Sequence, residues 1–313
     1  MRVCVLYDEY YAFDEFLNQY PCEWELQILR RPVREKLIEL ADQYDIFFNL
    51  CDGPLESQSP GMDVVQTLEE LNLAFTGADS RCFDPTREEM QAVAAAHQLG
   101  FAQGTRVYAG EDVLLKTHGL RYPLMVKHPK SYSSIQMFRE SKCETPEQVQ
   151  TQFERMAGTF GAARVEEFIT GREFNVFVVD NPDDLQNPFV YPPAELIFPP
   201  DEEFWHTGVK WDYSVPFEFR EVKEVGLLER LQDLGRKFYL AMGCAGYGRM
   251  DVRMRADGEL VILEINPNGG ILYRPEEYGP ADYMILFDKG GYYGFFDRIF
   301  RSALARRKIR AGD

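Results

Sequence analysis

The sequence predicts a mixed α/β and α+β protein, with an N-terminal doubly wound parallel sheet followed by two α+β units. Three observations carry that expectation. Short apolar runs alternate with helical segments through residues 1–84, a helix-start signal at Asp84-Pro85 opens a second unit, and a hairpin signal at Asp257-Gly258 lies in a third. The boundaries that follow are 1–84, 85–172 and 173–313.

In the first unit, Arg2–Leu6 and Glu25–Leu29 read as strands, and Pro32–Gln43 as a helix with Val33, Leu37, Ile38 and Ala41 on one face. The run Asp45–Leu50 (DIFFNL) suits a buried parallel strand, Gly61–Leu71 a second helix, and Phe75-Thr76-Gly77 a further short strand. A β-α-β-α-β order of this kind implies a doubly wound sheet. In the second unit, Asp84 is expected to cap a helix with Pro85 in its first turn and Gly100 as its stop. Tyr122–His128 reads as a strand, Thr145 to about Met156 as a helix, and Ala163–Phe168 as a strand. The third unit begins near Glu173 with the strand Phe174–Val179. Residues 181–221, rich in proline and aromatics, read as a long irregular connection of the kind that forms lids. Val222–Met242 reads as a long amphipathic helix ending at Gly243.

Composition excludes some functions. The 313 residues carry 34 Lys and Arg against 51 Asp and Glu, a net charge of −17, so no basic surface invites nucleic acid. No apolar run approaches membrane-spanning length, and MRVCVLYDEYY reads as a first strand, not as a signal peptide. Six cysteines (Cys4, Cys22, Cys51, Cys82, Cys143, Cys244) without CxxC spacing are expected to be reduced thiols in a cytoplasmic protein. Four histidines (His97, His118, His128, His206) lack clustered spacing and read as structural or surface residues.

The chemistry concentrates in YGRMDVRMRADGELVILEINP, residues 247–267. A two-residue turn at Asp257-Gly258 sets Asp251 opposite Glu264 and Arg249 opposite Asn266, all four on one face. Met250, Val252, Leu263 and Ile265 then face the core. Two facing carboxylates repel unless a cation or proton lies between them. Oxygen ligands from Asp, Glu and Asn suit Mg²⁺, which keeps positions for phosphate oxygens. Read alone, the hairpin is equally compatible with a solvated polar edge. Lys127, inside the apolar run YPLMVKHP, needs an anionic partner unless it snorkels from the strand end. The following KSYSS can present hydroxyls and N–H groups to phosphates, or be an ordinary polar turn. In RVEEFITGREF, acidic residues on both sides of Gly171 suit a nucleotide base and ribose, or a charged strand end.

Taken in order, these stretches resemble the ATP-grasp superfamily, and within it the D-alanine–D-alanine ligase branch, from about Asp45 to Pro267. DIFFNLCDG, LEELNLAFTGADS, YPLMVKHP-KSYSS, VEEFITGRE, HTGVKWDY, MGCAGYGRMDVRM and LEINPN carry the resemblance. It implies a three-domain ATP-grasp fold whose two α+β units clamp ATP. It further implies that Lys127 contacts ATP phosphates, that Glu166, Glu167 and Ile169 line the adenine hinge, and that Glu173 binds ribose. Lys210, in a mobile loop, would reach the γ-phosphate. Ser133 and Ser134 occupy the family's loop serines, and Arg87 stands in for its first phosphate-contacting lysine. Asp251, Glu264 and Asn266 would hold two Mg²⁺ ions, with Arg249 stabilising the transferring phosphoryl group or a tetrahedral intermediate. The implied reaction is ATP-dependent amide or peptide bond formation from small-molecule carboxylate and amine substrates, in a possible homodimer.

The substrate side departs from the family pattern. LYDEYYAFDEF lacks the Gly-rich turn after strand one, and Cys51-Asp52 stand where a histidine is expected. The serine loop is Tyr-Ser-Ser, with Gln136 in place of its later glycine. YRPEEYGPADY replaces the Ser-Leu pair that takes the second amino acid's carboxylate. There Tyr273 and Arg274 could bind a carboxylate, and Glu276 or Glu277 an amine, or all four could be surface residues. A ligase for substrates other than two D-alanines is expected. A synapsin-like ATP-binding regulatory module and an ATP-grasp kinase are the alternatives.

Overall fold

The computed structural model describes residues 1–9, 11–53, 58–130, 134–210 and 217–312, apart from the side chain of Lys210. The first sheet uses β1 (Arg2–Tyr7), β2 (Glu23–Ile28) and β3 (Ile46–Asn49), interleaved with α1 (Asp14–Leu17) and α2 (Arg34–Leu40) and followed by α3 (Met62–Glu70). Its order is β2-β1-β3, all parallel, and Phe75 adds a parallel bridge beside Phe47. Parallel strands need cover on both faces, which explains why Val3–Leu6 and Ile46–Phe48 are apolar without alternation. Cys4, Leu6 and Phe47 pack with Leu37, Val64 and Leu68 from α2 and α3, while Val3, Val5 and Phe48 face the C-terminal helix.

Next come α4 (Arg87–Ala96), β4 (Gly104–Tyr108), α5 (Val113–Thr117), β5 (Leu124–Lys127), β6 (Lys142–Cys143), α6 (Pro146–Phe160) and β7 (Ala162–Glu167). The strands form an antiparallel sheet in the order β4-β7-β5-β6. Val149, Phe153 and Met156 of α6 cover its inner face against Leu124, Val126 and Val165. Helix α6 starts at a Thr145 capping box and stops at Gly161, whose φ of 74° only glycine adopts without strain.

The largest sheet uses β8 (Arg172–Val179), β9 (Phe189–Val190), β10 (Ala194–Ile197), β11 (Glu218–Glu221), β12 (Tyr247–Met254) and β13 (Leu260–Pro267). Its path is β11-β10-β8-β12-β13, with β9 on β8. Helices α7 (Thr207–Lys210), α8 (Val225–Ala241), α9 (Pro280–Phe287) and α10 (Gly291–Ala311) complete the chain. One face of this sheet (Phe174, Val176, Met250, Val252, Ile265) packs on α8 and on Met90 and Ala94 of α4. Helix α10 returns to the first sheet, where Phe296 and Phe300 meet Phe48 edge-on at 5.9 and 5.8 Å.

Several expectations are corrected. Residues 181–221 contain β9, β10, α7 and β11, not an irregular connection throughout. Those strands are two to four residues long, too short to set a period. The cap of α4 is Thr86, in a reciprocal box with Glu89, not Asp84. Gly100 lies beyond that helix, which ends at Ala96. It allows close backbone approach, since a Cβ there would lie 2.5 Å from the Leu260 carbonyl oxygen. Two cysteines are not free thiols: Cys82 and Cys244 are disulfide-bonded, their Cα atoms 5.1 Å apart. Their separation of 162 residues left no spacing signal. Among the described residues, no helix is long and apolar enough to cross a membrane.

Candidate active site

The hairpin of β12 and β13 meets its expected register where it matters, by a different route. Asp251 pairs with Glu264, Arg249 with Asn266 and Met250 with Ile265. The turn is one residue longer than expected, because Arg255 N–H donates to the Glu259 carbonyl and Gly258 takes φ 86°. A bulge between Asp251 and Val252 removes that offset, since Val252 pairs with Ile262. Leu263 is therefore corrected. It leaves the α8 core, touches the small cluster of Ala102, Ile169 and Val261, and lines a cleft.

Asp251 is the centre of the hairpin face. The Arg249 guanidinium donates to both of its oxygens (2.9 and 3.2 Å), Asn175 Nδ2 to Oδ1 (2.7 Å) and Asn266 Nδ2 to Oδ2 (3.4 Å). Glu264 is paired with Arg87 from the first turn of α4, which is 5% exposed. The two carboxylates are thus each neutralised by an arginine. Burial pulls the Arg249 guanidinium down, but the Asp251 contact outweighs it and the net shift is upward. For Arg87, burial dominates and lowers it to about 10. The three oxygen-bearing residues, in register on one face, fit a hard divalent cation that takes its remaining ligands from phosphate and water. No group of three or more His, Cys, Asp or Glu with metal-holding geometry occurs among the described residues.

A second charged cluster faces this hairpin. Lys127, at the end of β5, pairs with Glu166 of β7, which is 2% exposed. Arg164, fully buried, donates from Nε to Glu166 (2.8 Å) and from its terminal nitrogens to Glu88 and Gln91 of α4 (3.0 Å each). Burial alone would raise the Glu166 carboxyl, but Lys127, Arg164 and Arg87 together hold it down to about 2. Burial lowers the Lys127 ammonium despite Glu166. Arg164 was missed by sequence reasoning, although its position two residues before Glu166 in a strand marks a same-face partner.

Glu167 pairs with Arg121 and Arg255 (3.3 and 3.1 Å), so it is tied to neighbouring loops. Ile169 is buried, with its carbonyl bonded to Arg253. Glu173 pairs with the same Arg253 across β8 and β12. Gly171 is required here, because a Cβ would lie 1.9 Å from the Met254 carbonyl oxygen. Ser134 accepts from Thr207 Oγ1 at its carbonyl (2.8 Å), joining the segment after β5 to α7. Ser133 and the Lys210 side chain lie outside the described residues.

One cleft of about 820 Å³ is lined by Lys127, Glu166, Glu173, Arg249, Asp251 and Asn266, among others. It continues past Asn268–Gly270 into a cavity of about 70 Å³, where Tyr7, Tyr11, Asp52, Tyr247 and Tyr273 line the walls. Glu276 and Glu277 line the cleft, whereas Arg274 sits over the Tyr11 ring at 5.7 Å. Asn268 is 7% exposed and φ 54°, and its Oδ1 accepts from Ala78 N–H (2.7 Å). His206 is buried and contacts Glu202 (2.9 Å).

Comparison with known proteins agrees with this architecture. The family model described as D-ala D-ala ligase C-terminus matches residues 93–273. The D-alanine–D-alanine ligase of Herminiimonas arsenicoxydans is 33% identical over 251 residues, covering 77% of this chain and 71% of that protein. That of Thermotoga maritima is 27% identical over 259 residues, covering 76% and 75%. Among solved structures, a Bacillus anthracis D-alanine–D-alanine ligase complexed with ATP superposes with a TM-score of 0.68 at 18% identity, covering 99% of each chain. The Coxiella burnetii enzyme gives 0.71 at 14%, covering 100% of this chain and 96% of that one. The fold is that of these ATP-grasp ligases.

Proposed function

The chain belongs to the D-alanine–D-alanine ligase family, and from that premise we propose that it joins a small carboxylic acid to an amine, through an acyl phosphate, with substrates other than two D-alanines. Membership makes it an ATP-dependent, ADP-forming carbon–nitrogen ligase. One observation carries the reading. A single cleft is bordered by Lys127 and Glu166 from one sheet and by Arg249, Asp251, Glu264 and Asn266 from another.

In this proposal ATP occupies the cleft with its phosphates against Lys127 and Arg87, its base along Glu166, Glu167 and Ile169, and its ribose at Glu173. Ser133, Ser134 and Lys210 keep the phosphate-contacting roles that the resemblance gives them. Asp251, Glu264 and Asn266 hold Mg²⁺, in two ions, which when bound supplies positive charge to the phosphates. A carboxylate oxygen of the acid attacks the γ-phosphorus, the bond to the bridging oxygen breaks, and ADP leaves. The amine nitrogen attacks the acyl carbon and loses a proton, and inorganic phosphate departs. Arg249, fixed by Asp251, presents its charge where negative charge develops. A lid over 200–215, of which residues 211–215 lie outside the described residues, would keep out water that hydrolyses the acyl phosphate.

The different substrate pair is supported by the tyrosine-lined cavity and by Asp52 within it. Acidic Glu276 and Glu277 suit an amine, and Arg274 beside Tyr11 suits a carboxylate. The division into 1–84, 85–172 and 173–313, a cytoplasmic location and association into a homodimer belong to the same proposal. The test is incubation with ATP, Mg²⁺ and pools of acids, amino acids and amines, following ADP, phosphate and product masses. Turnover that needs both an acid and an amine, with loss of one water between them, is expected. ATP binding without turnover in any pool would mark a regulatory module, and a phosphorylated product without amine dependence a kinase.

A further inference from the structure

Arg253 is engaged on every side at the end of the cleft that the proposal gives to the nucleotide. It is 3% exposed and lies on the same β12 face as Arg249 and Asp251, opposite Glu173 of β8. Its Nε donates to Glu173 Oε2 at 2.8 Å, and Nη2 reaches the same oxygen at 2.7 Å. Nη1 donates to the Ile169 carbonyl in the hinge at 2.8 Å, and Nη2 also donates to the Glu203 carbonyl. The guanidinium lies over the Phe168 ring at 4.7 Å and near the Phe198 ring at 5.8 Å. Both of its contacts with Glu173 fall on one carboxylate oxygen. Among the described residues no hydrogen bond reaches the other, Oε1, and Glu173 borders the cleft.

A buried carboxylate needs a fixed counter-charge to stay ionised, because burial pushes Glu173 upward even with Arg253 beside it. A lysine could supply charge at one point. The planar fork holds the carboxylate, the hinge carbonyl and the Glu203 carbonyl at once, each from a different nitrogen. From this arrangement we propose that Arg253 is a positioning residue that makes the nucleotide site selective for a ribose: it fixes Glu173 so that Oε1 is free to accept from a sugar hydroxyl. The inference rests on the ATP-binding reading above, and it assigns to Arg253 a task which neither the reaction nor the metal site requires.

The 2′-hydroxyl is the group that separates a selective site from a permissive one. A hydrogen bond from a neutral donor to a charged acceptor gives about a tenfold or larger preference. The test is equilibrium binding of ATP and 2′-deoxy-ATP, each with Mg²⁺ and without acid or amine, to the full chain and to Arg253→Met, Arg253→Lys and Glu173→Gln. The wild type is expected to prefer ATP about tenfold or more, and every variant to lower that ratio toward one. A role limited to holding the fold would weaken both nucleotides equally and leave the ratio unchanged. If Arg253→Met fails to fold, Arg253→Lys decides, since it keeps a charge and loses the fork. A folded Arg253→Lys protein with wild-type selectivity overturns the proposal. So does a wild type that binds both nucleotides equally, which would leave the nucleotide site itself standing. A wild type that binds neither would overturn that site and this inference together.

Discussion

Around Glu166, charged side chains from three elements hold one another: Lys127 from β5, Arg164 from β7 and Arg87 from α4. Around Asp52, by contrast, the walls are tyrosine rings and a turn of Asn268, Gly269 and Gly270, and Asp52 makes no ion pair with any described residue. The two regions adjoin, yet one is pre-organised by mutual charge and the other shaped by loops. Pre-organised charge suits a ligand that is always the same, such as a nucleotide triphosphate. Loop-built walls suit a ligand that varies across a family.

The sharpest break of this contrast is Glu264→Gln. It removes a carboxylate from the hairpin face and leaves Arg87 with a weaker partner, so turnover is expected to fall about a thousandfold while circular dichroism stays native. Retained turnover would remove Glu264 from the metal set. Next in size is Lys127→Met. Breaking a buried pair costs about 3 kcal/mol, read as a lower urea midpoint. The double change Lys127→Met with Glu166→Leu is expected to recover none of it, because it takes from the fully buried Arg164 its Glu166 partner and leaves it Glu88 and Gln91 alone.

The charged half of the cleft, which we propose takes the nucleotide, stood out in the sequence because its residues violate local rules. Lys127 interrupts an apolar strand, Glu166 and Glu173 flank a glycine turn, and Asp251 and Glu264 face each other across a hairpin. The register at the site agreed with expectation only because a longer turn and a bulge offset each other; the same bulge sent Leu263 to the cleft. Arg253 and Arg164 were also written in the i, i+2 alternation, but arginine in a strand reads as surface until its partners are known. The substrate half was not legible. Tyr7, Asp52, Tyr247 and Tyr273 come from separate loops and strand ends, and only the tertiary fold assembles them. Helix α10 did carry a signal, since Tyr292, Phe295, Phe296, Ile299 and Phe300 recur at helical spacing on its buried face, but only the tertiary fold shows that this face covers the first sheet.

The remaining predictions sharpen the contrast with smaller effects. Glu166 has a folded pKa held down to about 2 against 4.5 for a free carboxyl. A depressed carboxyl contributes stability that is present above pH 4.5 and lost as pH falls toward about 2. Urea midpoints of the wild type should drop through that window, and those of Glu166→Gln should drop less. Smallest is Asp52→Asn, which is expected to raise KM for one substrate about tenfold and leave KM for ATP unchanged. A shift in KM for ATP alone would merge the two regions into one.

The central claim is that a carboxylate oxygen attacks the γ-phosphorus before the amide bond forms. It is tested most directly by supplying the acid with both carboxylate oxygens as ¹⁸O and measuring the inorganic phosphate by mass spectrometry. The account predicts one ¹⁸O atom in each phosphate released during turnover with acid and amine. Phosphate free of label, with product still formed, would contradict it.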